Sequence, residues 1–527
     1  MSRRITERFL DYIAQGFSAI LENDEREWII RSVPSVLGER MRQISSRSQS
    51  GDEKSICKHQ QSCADNVMIG FVRSFLATYS LKYGINMIPV LLLGKLFKKP
   101  SLIYKLGGKD TISFAMFMST FVSLYKGVLC TLRRFRNSCD SLNSLVAGAV
   151  AGLSLMLDSN RNRRRTIALY FSTRTCHFLV RGLWKYFMGN LLFFQTLEIP
   201  RQDQERAAID HNQPIRENDD QEILIQEEKR NWNLKLREIL KQCTAGILTM
   251  LSSGQIIYSF CCEQDTVPRQ YFSLLLSHSG LKKEYGKSRA TAAVQVFNEC
   301  VNARASSTRY LSDSDDLTCA LDPALPLKSL SEFHLQRSPT HEFVMCSLQH
   351  PGRGYCLQEF GHCIVAEFQR GVLFYGPLYI LASIIFKGGK LLRDPLGSSR
   401  RIVLSTIRSA VFITAWVSCA WSSSCAFRKV IGTDRPAQYF LSGFLAGSSV
   451  FIEGPGRRLE LALYFVPRAI ETAWNCAVKW GYWNSISCGE IIYFSIASSV
   501  LMTIYQHDPE SIHDGYRKAM KRLIGVN

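Results

Sequence analysis

The stretch LNSLVAGAVAGLSLMLDSNRNRRRTIALYF, residues 142–171, decides the fold class. A short apolar run carries two glycines, then come a single acid, an arginine cluster and a second apolar run. Gly148 and Gly152 lie one helical turn apart, so a second helix backbone can approach closely and gain van der Waals contact there. Asp158 ends the first run, and Arg163 and Arg164 open the next helix, which lets the acid pair with the cations at the helix boundary. The same order recurs in AQYFLSGFLAGSSVFIEGPGRRLELALYF, residues 437–465, where Gly443, Gly447, Glu453, Arg457 and Arg458 take the corresponding places.

The match extends beyond these residues. At a shift of 295, Cys130 aligns with Cys425 and Arg133 with Arg428. After one residue is lost, seven of twelve positions are identical between 163–174 and 457–468. Upstream, Tyr79 and Tyr83 align with Tyr375 and Tyr379. Such self-similarity reads as an internal duplication, and repeated helix sets are common among transporters and channels. Five candidate helices per half favour an antiparallel arrangement of the two halves.

Composition narrows the class. The 527 residues are 46% hydrophobic and 21% charged, with a formal charge of +19. This excludes a disordered chain or a fibre. The 17 cysteines are scattered along a long chain, which favours reduced thiols over a disulfide scaffold. A mean hydropathy of −0.03 suits a mixture of apolar segments and charged loops. The apolar segments are clearest at 111–132, 142–157, 240–262, 402–427, 437–452 and 485–505. Less clean ones lie at 68–93, 166–188, 360–386 and 460–480. Basic residues fill the gaps between them, as at Lys95–Lys109, Arg133–Arg136 and Lys387–Arg401, which fits membrane-interface anchoring better than one nucleic-acid-binding face. The expectation is an all-α polytopic membrane protein with two homologous helix sets, about eight to ten membrane helices, and no nucleic-acid partner. Because successive loops are all basic, charge does not orient it.

The organisation read from this pattern begins with an amphipathic and linker segment at 1–56. A first membrane repeat follows at 57–194, then a polar connector at 195–237. Residues 238–280 are assigned as further helix of the first repeat and 281–340 as a polar linker. A Cys-rich lead-in and second repeat occupy 341–505, and 506–527 is a tail.

Other chemistry is sparse. Cys57, His59 and Cys63 precede the first helix set, and His350, Cys356, His362 and Cys363 precede the second; the metal candidates among them are Cys57, His59, Cys63, Cys356, His362 and Cys363. A structural zinc site needs four N/S ligands, and neither stretch supplies a clean set, so these are weak metal candidates and no metal or other cofactor is assigned. His177 and its aligned partner Glu471 lie in apolar runs, where an ionisable residue is a functional candidate, although nearby arginines also suit a structural contact. No phosphate-binding glycine loop, Gly-x-Ser-x-Gly elbow or His-Glu-x-x-His is present, which argues against the common enzyme classes.

FVSLYKGVLCTLRRFRN (121–137), LVAGAVAGLSLML (145–157) and the arginine-pair elements resemble the transmembrane protein 135 family. Its halves are in turn similar to Tim-type subunits of the mitochondrial inner-membrane translocases. The resemblance covers roughly 57–190 and 341–505, with the order of the two halves swapped relative to the family. It implies a non-enzymatic integral protein of the peroxisomal membrane first, or the mitochondrial membrane second, acting in lipid and fatty-acid homeostasis and in peroxisome–mitochondria function, including the balance of mitochondrial fission. The implied partners are the lipid bilayer and a lipid or fatty-acid ligand. The alternatives are a channel or translocase-like pore for lipids or polypeptides, or a scaffold that binds protein partners through 195–237.

Overall fold

The computed structural model describes residues 57, 59, 62–92, 106–190, 242–303, 305–311, 321–333, 342–350 and 355–525. The expected N-terminal amphipathic segment at 1–21 and the polar connector at 195–237 lie outside the described residues. Among the described residues the chain is helical, apart from an isolated bridge between Arg309 and Phe343. In chain order the helices are α1 (Cys63–Leu92), α2 (Lys109–Arg136), α3 (Ser141–Gly152), α4 (Arg161–Asn190), α5 (Gln242–Cys262), α6 (Arg269–His278), α7 (Leu281–Asn302), α8 (Leu327–Ser331), α9 (Val344–Gln349), α10 (Cys356–Arg393), α11 (Pro395–Ile431), α12 (Pro436–Gly447), α13 (Pro455–Lys479), α14 (Gly489–His507) and α15 (Asp514–Ile524). Of these, α2, α5 and α11 are long and apolar enough to cross a membrane.

The chain divides into two compact units, Met1–His211 with Ile486–Asn527, and Asn212–Ser485. The first unit therefore holds α1 to α4 and recovers α14 and α15 from the far end of the sequence. The second holds α5 to α13. This corrects the assignment of 238–280 to the first repeat and of 485–505 to the second. Adjacency in sequence suggested that grouping, whereas the packing of the glycine helices decides it.

Local sequence sets the helix ends in matching ways. In the first unit the Asp140 carboxylate accepts from the Asn143 backbone N–H at 3.3 Å and caps α3. In the second unit Pro436 starts α12 at its first turn, where a missing N–H does no harm. Both α2 and α11 stop at a left-handed residue, Asn137 (φ 49°) and Gly432 (φ 78°), at aligned positions. Each glycine helix then tightens into a five-residue 3-10 turn, Leu153–Leu157 or Ser448–Ile452, before extended backbone at Asp158 or Glu453.

The first unit's core is aromatic. Phe494 of α14 meets Phe117, Phe121 and Phe171 with ring centroids 5.8, 6.0 and 4.7 Å away. The expected tail 506–527 is part of this unit: α15 buries Ile524, and the Ser74 hydroxyl donates to the Leu523 carbonyl at 3.1 Å. In the second unit, the stretch expected as a polar linker at 281–340 contains α7, whose Ala290, Ala293, Val294, Phe297, Cys300 and Val301 are buried at helical spacing. The surrounding Ser, Asp and Lys residues mask that stripe in the sequence.

Candidate functional site

Two elements recur in each unit: a glycine helix with its acid–arginine cradle, and a cysteine–histidine cluster. In the first unit the glycine face of α3 lies on α14. A methyl group added at Gly148 would lie 2.7 Å from the Ser498 carbonyl oxygen, and one at Gly152 would lie within 3.0 Å of Ser495. In the second unit the face of α12 lies on α5, and a methyl group at Gly447 would lie 2.5 Å from the Met250 Cα. Gly443 is equally tight against Ser253 and Gly254. Real Cβ atoms do not approach so closely, so only glycine permits these helix pairs. The opposing surfaces of α14 and α5 are themselves built of serine and small residues.

The charged cradles follow the glycine helices. Asp158 is fully buried and receives Arg163 through two bonds of 2.6 Å, Nε to Oδ2 and Nη2 to Oδ1. Arg163 also donates to Asp110 at 2.6 Å, and Lys82 stands 3.6 Å from the same acid. In the second unit Glu453 is buried, lies 3.2 Å from Arg457 and accepts from the Ser409 hydroxyl at 2.6 Å. Arg457 also donates to Ser409 at 2.6 Å and to the Tyr379 hydroxyl.

The second arginine of each pair has a common task. Arg164 donates to the Asp158 carbonyl at 2.9 Å and reaches Glu490, near the start of α14, at 3.4 Å. Arg458 donates to the Glu453 carbonyl at 2.9 Å and to Gln242, the first residue of α5, at 2.9 Å. Each therefore satisfies a backbone oxygen at a helix junction and ties in the helix that covers the glycines. His177 and Glu471 do not join these cradles. His177 packs near Phe178 with ring centroids 5.6 Å apart, and Glu471 pairs with Arg468 at 2.6 Å.

The cysteine clusters are more complete than the sequence suggests. In the first unit Cys57, His59 and Cys63 meet Cys130 of α2, with all four ligand atoms within 4.8 Å of one another. His59 Nε2 is 3.3 Å from Cys130 Sγ and 3.4 Å from Cys63 Sγ. In the second unit Cys346, His350 and Cys356 meet Cys425 of α11 under the same limit. Here Cys356 Sγ is 3.9 Å from Cys346 Sγ, and His350 Nε2 is 3.8 Å from Cys425 Sγ.

Neither stretch offers a full ligand set by itself, as expected, but folding completes each one. The fourth ligand comes from a residue far along the chain, which short-range spacing cannot show. His362 and Cys363, singled out from the sequence, are not among the four; Cys363 lines the same cavity as His350, Cys356 and Cys425. The residues that sequence reasoning misses are Cys130, Cys346 and Cys425 as ligands; His350, noted in the lead-in, is not counted there as a metal candidate. The alignment of Cys130 with Cys425, read from the sequence, is the signal that points to two of these ligands.

The second cluster carries extra polar support. Arg428 Nη1 donates to Cys346 Sγ at 3.0 Å, and its Nε donates to the buried Asp434 at 2.7 Å. Asp434 also accepts from Thr308 at 2.7 Å and from the Tyr439 hydroxyl. The Cys356 and Cys425 thiols and the Arg428 charge hold the Cys346 thiol well below its usual range, against the opposing effect of burial. Burial lowers the His350 imidazole, but its bonds to Cys346 and Cys356 prevail and raise it to about 9.

No family model matches the chain, and no solved structure matches it.

Proposed function

We propose that the chain is a polytopic integral membrane protein with a duplicated helix set, acting non-enzymatically in lipid and fatty-acid homeostasis of an organelle membrane. The peroxisomal membrane is the first candidate and the mitochondrial membrane the second. The observation that carries the membrane reading is the outer face of the glycine helices. Leu142, Leu145, Val146, Leu153, Met156 and Leu157 are all exposed on the side of α3 and its 3-10 extension away from the packed glycines. That element is about 28 Å long at ordinary helical rises. Hydrocarbon about 30 Å thick would cover it. In water the same apolar stripe would promote aggregation. Leu441, Leu445, Phe451 and Ile452 repeat the pattern in the second unit.

The matched cradles of Arg163–Asp158 and Arg457–Glu453 support duplication, since unrelated helix hairpins have no reason to share this bonding order. They also suit membrane interfaces, where a charge needs a fixed partner. The lipid role rests on the family resemblance. A pore along the glycine faces is disfavoured, because α14 and α5 occupy those faces at backbone contact distance.

The test is lipid analysis of organelles from cells lacking the chain. The reading predicts altered acyl-lipid composition that wild type restores and Gly152→Leu does not. Unaltered lipids on loss of the protein would refute the lipid role.

A further inference from the structure

We propose that each unit binds one zinc ion, through Cys57, His59, Cys63 and Cys130 in the first and through Cys346, His350, Cys356 and Cys425 in the second. The argument begins with spacing. Tetrahedral zinc with Zn–S bonds of about 2.3 Å and a Zn–N bond of about 2.0 Å places its ligand atoms about 3.5–3.8 Å apart. The contacts within the two clusters, 3.3 and 3.4 Å in the first and 3.8 and 3.9 Å in the second, straddle that value. Disulfides require sulfurs at about 2.05 Å, and none joins the described cysteines. Thiol pairs meeting by chance would not also recruit one imidazole each. Three sulfurs and one nitrogen in tetrahedral reach select zinc among the available divalent ions.

The positions of the ligands give the ion a task. Cys63 is the first residue of α1, and Cys130 lies near the end of α2. Cys356 is the first residue of α10, and Cys425 lies near the end of α11. In each unit the metal closes the same end of an antiparallel helix pair and fixes the segment that leads into it. Zinc held by three thiolates and a neutral imidazole carries one net negative charge. Arg428, which is paired with Asp434, also donates to Cys346 Sγ at 3.0 Å and so stabilises that thiolate in the second site. The four-ligand sets are closed, so the sites are structural and leave no open position for catalysis.

This inference stands apart from the lipid reading, since a chain with no effect on lipids could still hold both ions. The test is elemental analysis of the full chain purified in detergent without chelator. Two zinc ions per chain are expected, one in Cys130→Ser and one in Cys425→Ser, with Cys419→Ser keeping two. X-ray absorption of the wild-type protein, which does not depend on variants folding, should show sulfur and nitrogen neighbours in a three-to-one ratio. Zinc well below one ion per chain after growth in zinc, iron in its place, or two ions retained in both ligand variants would overturn the proposal.

Discussion

The two units solve one packing problem with different surroundings. Both lay a glycine helix on a small-residue helix drawn from elsewhere in the chain, and both close the junction with an acid and two arginines. Beyond that they diverge. The first unit fixes its acid through a bidentate arginine that also binds Asp110. The second uses a serine and a tyrosine around Glu453. The first cluster gathers its ligands within seven residues plus Cys130, whereas the second reaches back to α9 through Cys346 and His350. Geometry that persists while its supporting residues change points to the glycine contact and the cysteine cluster as the constrained features.

The largest expected effect is at the shared feature. Gly152→Leu and Gly447→Leu should each destabilise their unit by about 3 kcal/mol or more, because the new side chain meets backbone. Gly84→Leu, with open space around it, should change little. Thermal unfolding of detergent-solubilised protein measures the contrast, and equal midpoints for Gly152→Leu and Gly84→Leu would break the comparison.

A charge substitution should separate the units next. Arg428→Met leaves Asp434 buried without its cation, a loss of about 3–5 kcal/mol. Arg133, at the aligned position, has Nε and Nη1 without hydrogen-bond partners among the described residues. Arg133→Met should therefore be tolerated far better, by the same unfolding assay. Comparable losses would mean that the two positions serve alike.

Asp158→Asn should cost more than Glu453→Gln, because Asp158 holds two short bonds to an arginine with 16% exposure while Arg457 is 42% exposed. A double-mutant cycle between Asp158 and Asp110 should show coupling through Arg163, and additivity would argue against the shared bridge.

The metal sites should differ kinetically. The first cluster has His59 and Cys63 only partly buried, whereas in the second Cys356 alone is partly buried. A chelator should withdraw the first unit's zinc sooner, so Cys425→Ser should lose its remaining ion faster than Cys130→Ser. The reverse order would contradict the assigned burial.

The smallest effect concerns pH. Asp322 accepts from Ser306 and from the Ala324 N–H, which holds its carboxyl at about 2. Its unfolded value is about 3.9. A depressed value contributes stability that is present above the unfolded pKa and lost as pH falls through the folded one. Hydrogen exchange at Ser306 and Ala324 should therefore accelerate between about pH 4 and pH 2. Asp322→Asn should remove that pH step, and a step that survived the substitution would point to another carboxyl.

Much of this was legible in the residues. The helical class, the glycine faces and the acid–arginine elements follow from spacings shorter than two helical turns, which a sequence displays directly. What could not be read was which helix covers each glycine face. Gln242–Cys262 and Gly489–His507 are similar small-residue helices, and chain order suggests the wrong partner for both. The buried stripe of α7 was hidden by its polar neighbours. The clusters were half-read, because three ligands are local while Cys130 and Cys425 arrive from distant helices. Cys346 escapes notice, and His350 is not counted as a ligand, because Cys356, His362 and Cys363 lie closer together in sequence.

The central claim is that these helices belong in a membrane, and an alkaline carbonate wash of fractionated organelles tests it most directly. The account predicts that the full chain stays in the membrane pellet, together with peroxisomal or mitochondrial markers. Release of the chain into the supernatant would contradict it.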